Sequence, residues 1–298
     1  MQRAKTIQFW DQHHGKVKNQ EWIVEPSSNT LHKILLPILT SDCEEINEDD
    51  RDREDSHIQE DFALLEIGCG TSHFAKEIYS LAQKRGKFIV TDVSEVCIQA
   101  NKIRDETLIQ NSNNRFDYQV FDAISDVNND DFNGQTFDFI LDKGCLDTFL
   151  FRSETRIQNK LAEKLFNRIH SLLKVSGRYI VITPRSKPKV LRDFKGFERI
   201  HRHVINEGLA DLDGNKAIVH DSNTSKEQNV YMFTCTRNDN YVAGEGGAFL
   251  DEYDKGANED FEKICQKCGI EFDQFFPGLK MARRVRQWKG HRIHCRKR

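Results

Sequence analysis

Leu64-Leu65-Glu66-Ile67-Gly68-Cys69-Gly70-Thr71-Ser72, answered far downstream by Phe137-Asp138-Phe139-Ile140-Leu141-Asp142-Lys143-Gly144, decides the fold. The first stretch is an apolar strand running into a glycine turn and then a helix, a geometry that brings bare backbone close to a small ligand. The second is another buried strand that ends in an acid. Around them strands at 63–67, 87–91, 118–121, 137–141 and 178–183 alternate with helices at 72–84, 94–108 and 155–173. Phe74, Ile78 and Leu81 share one stripe of the first helix, which stops at Gly86. Val96, Ala100, Ile103 and Thr107 repeat at helical spacing in the second, and Gly177 is expected to end the connection to the fifth strand. Two alternating stretches, 199–205 and 230–236, close the sheet antiparallel. The expectation is an α/β fold: a doubly wound, seven-stranded, mainly parallel sheet of Rossmann-like type.

Outward from this core the chain changes character. Residues 1–41 read as an N-terminal helical cap with helices at 4–13 and 28–40. The second is capped at Ser27 or Ser28, carries Leu31, Ile34, Leu35 and Ile38 on one face, and is expected to kink or shorten at Pro37. Residues 42–61 hold eleven acids and two arginines and read as a disordered, solvated insertion. The core spans 62–237, a linker rich in Gly, Asp and Glu spans 238–258, and 259–298 form a basic module. The net charge of −3 over 298 residues hides this asymmetry: nine Lys or Arg and no acid in 280–298 leave −12 for everything before them. There is no internal repeat. No run approaches the length of a membrane span and Met1-Gln2-Arg3-Ala4-Lys5 is no signal core, so a soluble, cytoplasmic protein is expected. The basic tail reads equally as a nuclear signal or as surface of the module. Cys97, Cys145 and Cys235 sit singly among apolar residues, the pattern of reduced, buried thiols.

A dinucleotide turn needs a third glycine below a pyrophosphate, and here His73 stands in that position. The turn therefore suits a nucleoside ligand without a pyrophosphate, which S-adenosylmethionine is. Three acids at successive strand ends support that cofactor. Asp92, followed by Val93, is spaced to accept from two ribose hydroxyls. Asp122, followed by Ala123, is placed for the adenine amino group. Asp142-Lys143 closes the fourth strand near the methyl and the amino-acid end. Glu66 either contacts the cofactor's amino group or braces the turn. With Gly68 and Gly70 these complete the cofactor site as read from the core.

Phe9-Trp10-Asp11-Gln12, Glu21-Trp22, the Gly-Cys-Gly-Thr-Ser turn and Asp142-Lys143-Gly144-x-Leu146-Asp147 together resemble the seven-strand lysine methyltransferases that act on elongation factor 1-alpha and citrate synthase. The resemblance covers about residues 7 to 183, more weakly the last strand. It implies a Rossmann-like methyltransferase in which Trp10, His14 and Trp22 fold over the cofactor, His14 standing where a tyrosine is common. An aromatic face beside a sulfonium is favourable on its own account. Cys145 replaces the family's threonine and Thr148 its alanine, which bears on the acceptor pocket. The acidic insertion and the tail have no counterpart.

Methyl transfer is an in-line displacement that needs position more than strong chemistry. Asp142 is expected to orient a target lysine, Lys143 to neutralise the cofactor's carboxylate, and Cys145, with no histidine nearby in sequence, to pack. In the tail, Cys265-x2-Cys268 and His291-x3-Cys295 have the layout of a lengthened zinc finger holding a structural Zn2+, with Phe272 and Trp288 as its small core and His294 as a substitute for His291. The leading expectation is a protein-lysine methyltransferase. The alternatives are an RNA methyltransferase guided by residues 280–298, against which the lack of an Asn-Pro-Pro-Tyr pocket counts, and a non-catalytic binding protein on this scaffold. No membrane partner is expected.

Overall fold

The computed structural model describes residues 2–16, 23, 29–40, 62–82, 86–125, 132–150, 156–205 and 230–242. Two helices, α1 (Gln2–His14) and α2 (Asn29–Thr40), precede a unit in which strands and helices alternate. They are followed by β1 (Ala63–Ile67), α3 (Phe74–Leu81), β2 (Lys87–Asp92), α4 (Glu95–Arg104), α5 (Glu106–Asn111) and β3 (Phe116–Val120). The remainder is β4 (Phe137–Lys143), α6 (Cys145–Leu150), α7 (Arg156–Leu172), β5 (Leu173–Thr183), α8 (Lys189–Asp193), β6 (Phe197–Ile205) and β7 (Val230–Arg237).

The seven strands form one sheet in the order β3-β2-β1-β4-β5-β7-β6. β3 through β5 pair in parallel, whereas β7 pairs antiparallel with both β5 and β6. The expected mainly parallel sheet is therefore corrected to a mixed one. The physical reason is that β7 is inserted between its neighbours, so β7 alone runs against the rest while β6, beyond it, runs with them. The chain leaves β1 toward β2 and β3, then returns to β4 on the other side. The carboxyl ends of β1 and β4 thus flank the point where the winding reverses, which is where open α/β sheets bind ligands.

Apolar side chains cover both faces. On one, Leu35 and Leu39 of α2 and Phe74, Ile78 and Tyr79 of α3 pack on Leu64, Leu141, Ile180 and Met232. On the other, Ala162, Leu165, Phe166 and Ile169 of α7 meet Leu65, Ile140, Tyr179 and Val181. Burial on both sides is what makes these strands read as nearly continuous apolar runs.

Several element limits depart from expectation for local reasons. α2 passes through Pro37 and is not shortened by it. The helix expected at 94–108 breaks into α4 and α5 at Asp105, whose buried carboxylate is drawn into bonds from Lys76, Arg104 and Tyr118. Gly177 lies inside β5, where the register with β4 shifts between Phe137 and Phe139. A Cβ there would come within 2.9 Å of the Lys174 carbonyl oxygen and 3.1 Å of that of Phe137, so only glycine lets the bulge close. At the other end, Tyr241 hydrogen-bonds Asn167 of α7, which ties residues 238–242 to the domain.

Candidate active site

The turn after β1 is held by its neighbours across the sheet. Gly68 and Gly70 have φ of 63° and 55°, the left-handed region that glycine enters without strain. Cys69 N–H donates to the Thr91 carbonyl at 2.9 Å, and Thr91 Oγ1 donates to the Glu66 carbonyl at 2.7 Å. Gly70 N–H donates to Asp92 Oδ2 at 2.9 Å, while the Gly70 carbonyl accepts from Cys97 Sγ and Asn101 Nδ2, both at 2.8 Å. Asp92 Oδ1 accepts from Ser94 N–H, and Ser94 Oγ caps α4 through Cys97 N–H. One carboxylate thus joins the turn to the start of α4.

These contacts bring the strand-end residues to one edge. Asp92 lies beside the end of β3 through the bond from Phe121 N–H to its carbonyl, so Asp122 follows immediately on the same rim, its Oδ1 accepting from Ile124 N–H. Val93 and Ala123 are their chain neighbours on this rim. Asp142 is in register with Ile67 of β1, and Glu66 is buried inside that strand. Lys143 ends β4 with Nζ 5.3 Å from the centre of the Phe74 ring. The glycine turn and the three acids therefore share the carboxyl edge of the sheet. The fit to a nucleoside ligand is direct at two points. Neither turn glycine presents a Cβ, and the Asp92 carboxylate, having spent one bond per oxygen, keeps lone pairs for further donors.

α1 lies over this edge. Asp11 Oδ1 accepts from Ser94 Oγ at 2.6 Å, and Trp10 stacks on His14 with ring centres 5.4 Å apart. His14 is buried, and its Cε1 would be 3.5 Å from a Cβ on Gly70. Burial lowers the affinity of this imidazole for protons, opposed by the nearby Asp92 and Asp11. Trp22 lies outside the described residues, but Ile23 is fully buried with its Cδ1 2.8 Å from where Gly144 (φ 84°) would carry a Cβ. Cys265, Cys268, His291 and Cys295 are also outside the described residues.

The side chain expected to orient a substrate amine is turned inward. Asp142 is 0% exposed; both its oxygens accept from Leu146 N–H, at 3.2 and 3.0 Å, and Oδ2 also accepts from Tyr179 Oη at 2.7 Å. It thereby caps α6 from within. Burial raises its pKa to about 7, helped by the charge of Asp147 and opposed by the Tyr179 and backbone bonds. A carboxyl whose folded pKa lies above its unfolded value contributes stability that is full below the unfolded pKa and lost as pH rises through the folded one. The wild-type fold should therefore weaken between about pH 4 and pH 8, by an upper bound on the order of 4 kcal/mol for this group, and Asp142→Asn should weaken less. Thermal melts across that range check this. The Tm of the variant minus that of the wild type should climb with pH, and a difference independent of pH would refute it.

Sequence reasoning missed the layer beneath. Asp147 Oδ1 accepts from Arg185 Nε at 2.7 Å and from Thr183 Oγ1 at 3.0 Å, all three residues buried. Burial also raises the Asp147 pKa, with Arg185 and Thr183 pulling it down. The signal was Asp147 in the Asp-Lys-Gly run and Arg185 just past β5, but nothing in their spacing of 38 residues pairs them. Asn101 and Cys97, which hold the Gly70 carbonyl, carried no signal beyond their place in a helix.

A family model described as a methyltransferase domain matches residues 58–256. Among curated proteins, the eEF1A lysine and N-terminal methyltransferase of Mus musculus is 28% identical over 120 residues, 40% of this chain and 16% of that protein. The protein of the same name from Xenopus laevis is 28% identical over 156 residues, 50% of this chain and 21% of its own. The chain thus matches only a small part of the length of these relatives. Among solved structures, the precorrin-6y C5,15-methyltransferase of Geobacter metallireducens aligns over 74% of this chain and 94% of its own, with 12% identity and a TM-score of 0.42.

Proposed function

The chain belongs to the methyltransferase domain family, and on that premise we propose that it transfers methyl from S-adenosylmethionine to a lysine of a protein substrate. The observation that carries this reading is the abutment of the two stretches quoted first. A Cβ on Gly68 would sit 2.7 Å from the Cβ of Cys145, so the residues after Asp142-Lys143-Gly144 lie directly against the glycine turn. The relatives' printed names support a protein acceptor.

When bound, the cofactor supplies a methyl carbon activated by positive sulfur. The chain's own residues supply position. In this reading Asp92 accepts from the ribose hydroxyls, Asp122 from the adenine amino group, and Gly68 and Gly70 leave room for both. Glu66 braces the turn, Lys143 balances the cofactor's carboxylate, and Trp10 and His14 close over the bound molecule with Trp22. Asp142 acts as a positioning residue, fixing the start of α6 and the Tyr179 hydroxyl next to the acceptor. Desolvation at this edge favours the neutral form of an incoming lysine amine, which is the form that attacks. Beyond the domain, we assign Cys265, Cys268, His291 and Cys295 to a structural Zn2+ on their spacing alone, a module that would dock the substrate.

The full chain incubated with cell extract and a donor labelled in its methyl group tests the reading. Label should survive nuclease, vanish with protease and be recovered as methyl-lysine. Label that follows RNA would overturn it in favour of the nucleic-acid reading. Asp92→Ala removes two charge-assisted bonds to ribose and should weaken binding of S-adenosylhomocysteine about a hundredfold or more by calorimetry. Undiminished binding would show that the ribose lies elsewhere.

A further inference from the structure

The mouth of this site also gathers groups suited to a second kind of ligand. A ring nitrogen of His14, a carboxylate oxygen of Asp92 and the Sγ of Cys97 lie within 4.8 Å of one another, and all three residues are buried. They come from α1, the end of β2 and the first turn of α4, so the fold and not sequence spacing assembles them. His14 is 6% exposed, and its Nδ1 has no hydrogen-bond partner among the described residues. Cε1, the carbon bonded to both ring nitrogens, lies 3.5 Å from where a Cβ on Gly70 would stand, beside the turn whose carbonyl accepts from Cys97. An orphaned polar atom buried this deeply calls for a partner.

We propose that His14, Asp92 and Cys97 form a site for a borderline-soft divalent ion of the Zn2+ class, and that the ion and the nucleoside cofactor exclude one another there. Imidazole, thiolate and carboxylate are the donor types such an ion takes, with water in a fourth position. Coordination releases the Cys97 thiol proton to solvent and ends its bond to the Gly70 carbonyl. That carbonyl is not stranded, because Asn101 Nδ2 still donates to it. Cys69 Sγ donates to the same Gly70 carbonyl at 3.3 Å, and Asn101 Nδ2 lies 3.6 Å from the sulfurs of both cysteines, so a second thiol stands close to the first. The exclusion rests on the reading of Asp92 as the ribose acceptor; the metal site itself does not. A methyltransferase built this way would be silenced reversibly by free zinc.

The test uses the full chain stripped of metal, with Zn2+ titrated calorimetrically and Co2+ as a spectroscopic probe of thiolate ligation. Cys97→Ser and His14→Gln should each lose one equivalent of bound ion relative to wild type and keep its unfolding midpoint. Cys265→Ser/Cys268→Ser should retain that equivalent, which separates this site from the tail. S-adenosylhomocysteine at a hundredfold excess over its Kd should weaken Zn2+ binding at this site about a hundredfold. Equal stoichiometry in wild type and both His14 and Cys97 variants would overturn the site. Zn2+ binding unchanged by bound S-adenosylhomocysteine would overturn the exclusion. Retention of the zinc equivalent by a chain that binds no S-adenosylhomocysteine would support the ion site while sinking the cofactor reading.

Discussion

Arg185→Met should lower unfolding stability by about 3–5 kcal/mol, the range for stripping one partner from a buried ion pair. Asp147 is 0% exposed, and its Oδ1 takes Arg185 Nε at 2.7 Å while its Oδ2 has no partner among the described residues. The guanidinium also donates to the Leu150 carbonyl at 3.2 Å, so the substitution leaves both a carboxylate and a carbonyl stranded at the end of α6. The urea midpoint reports the loss. It should deepen as pH rises, because an unpaired buried carboxyl resists ionisation still more than the paired one. Adding Asp147→Asn should recover part of the loss by removing the stranded charge. A midpoint unmoved by Arg185→Met would mean that water, not Arg185, satisfies Asp147.

Gly68→Ala should abolish measurable cofactor binding and destabilise the fold as well. At φ 63° a side chain costs roughly 1–2 kcal/mol in the backbone alone. The new Cβ would also stand 2.7 Å from the Cβ and 2.8 Å from the Sγ of Cys145, an overlap that adds about 1–3 kcal/mol or shifts the turn. The displacement falls on the segment that meets the cofactor, so calorimetry with S-adenosylhomocysteine should show no binding even where the variant stays folded. Cys145→Gly in the same chain removes the atoms struck and should restore stability but for the backbone cost. If the double variant were no more stable than Gly68→Ala, the Cys145 contact would not be the cause.

Much of this was legible because it follows from local chemistry. An apolar run ending in Gly-x-Gly fixes a strand and a turn, because glycine's backbone freedom acts within a few residues. Asp92 and Asp122 could be placed on one rim because successive parallel strands end on the same edge, so position along the chain translates into position in space. The limits of α4 and β5 were not legible. Asp105 breaks the first through partners on α3 and β3, and Gly177 belongs to the second because of a carbonyl on β4. Those causes lie on other elements, where a periodicity has nothing to register.

By itself the sequence determined the alternation of strands and helices, the glycine turn and the acids along one rim, since each depends on hydrophobic period and backbone freedom over a few residues. Only the tertiary structure decided that β6 lies beyond β7 and so runs with the parallel strands, that Asp142 faces inward to α6 and Tyr179, and that His14 comes to rest beside Asp92 and Cys97. Such facts depend on which distant segments exclude water together. That is a property of the packed chain and not of any stretch of it.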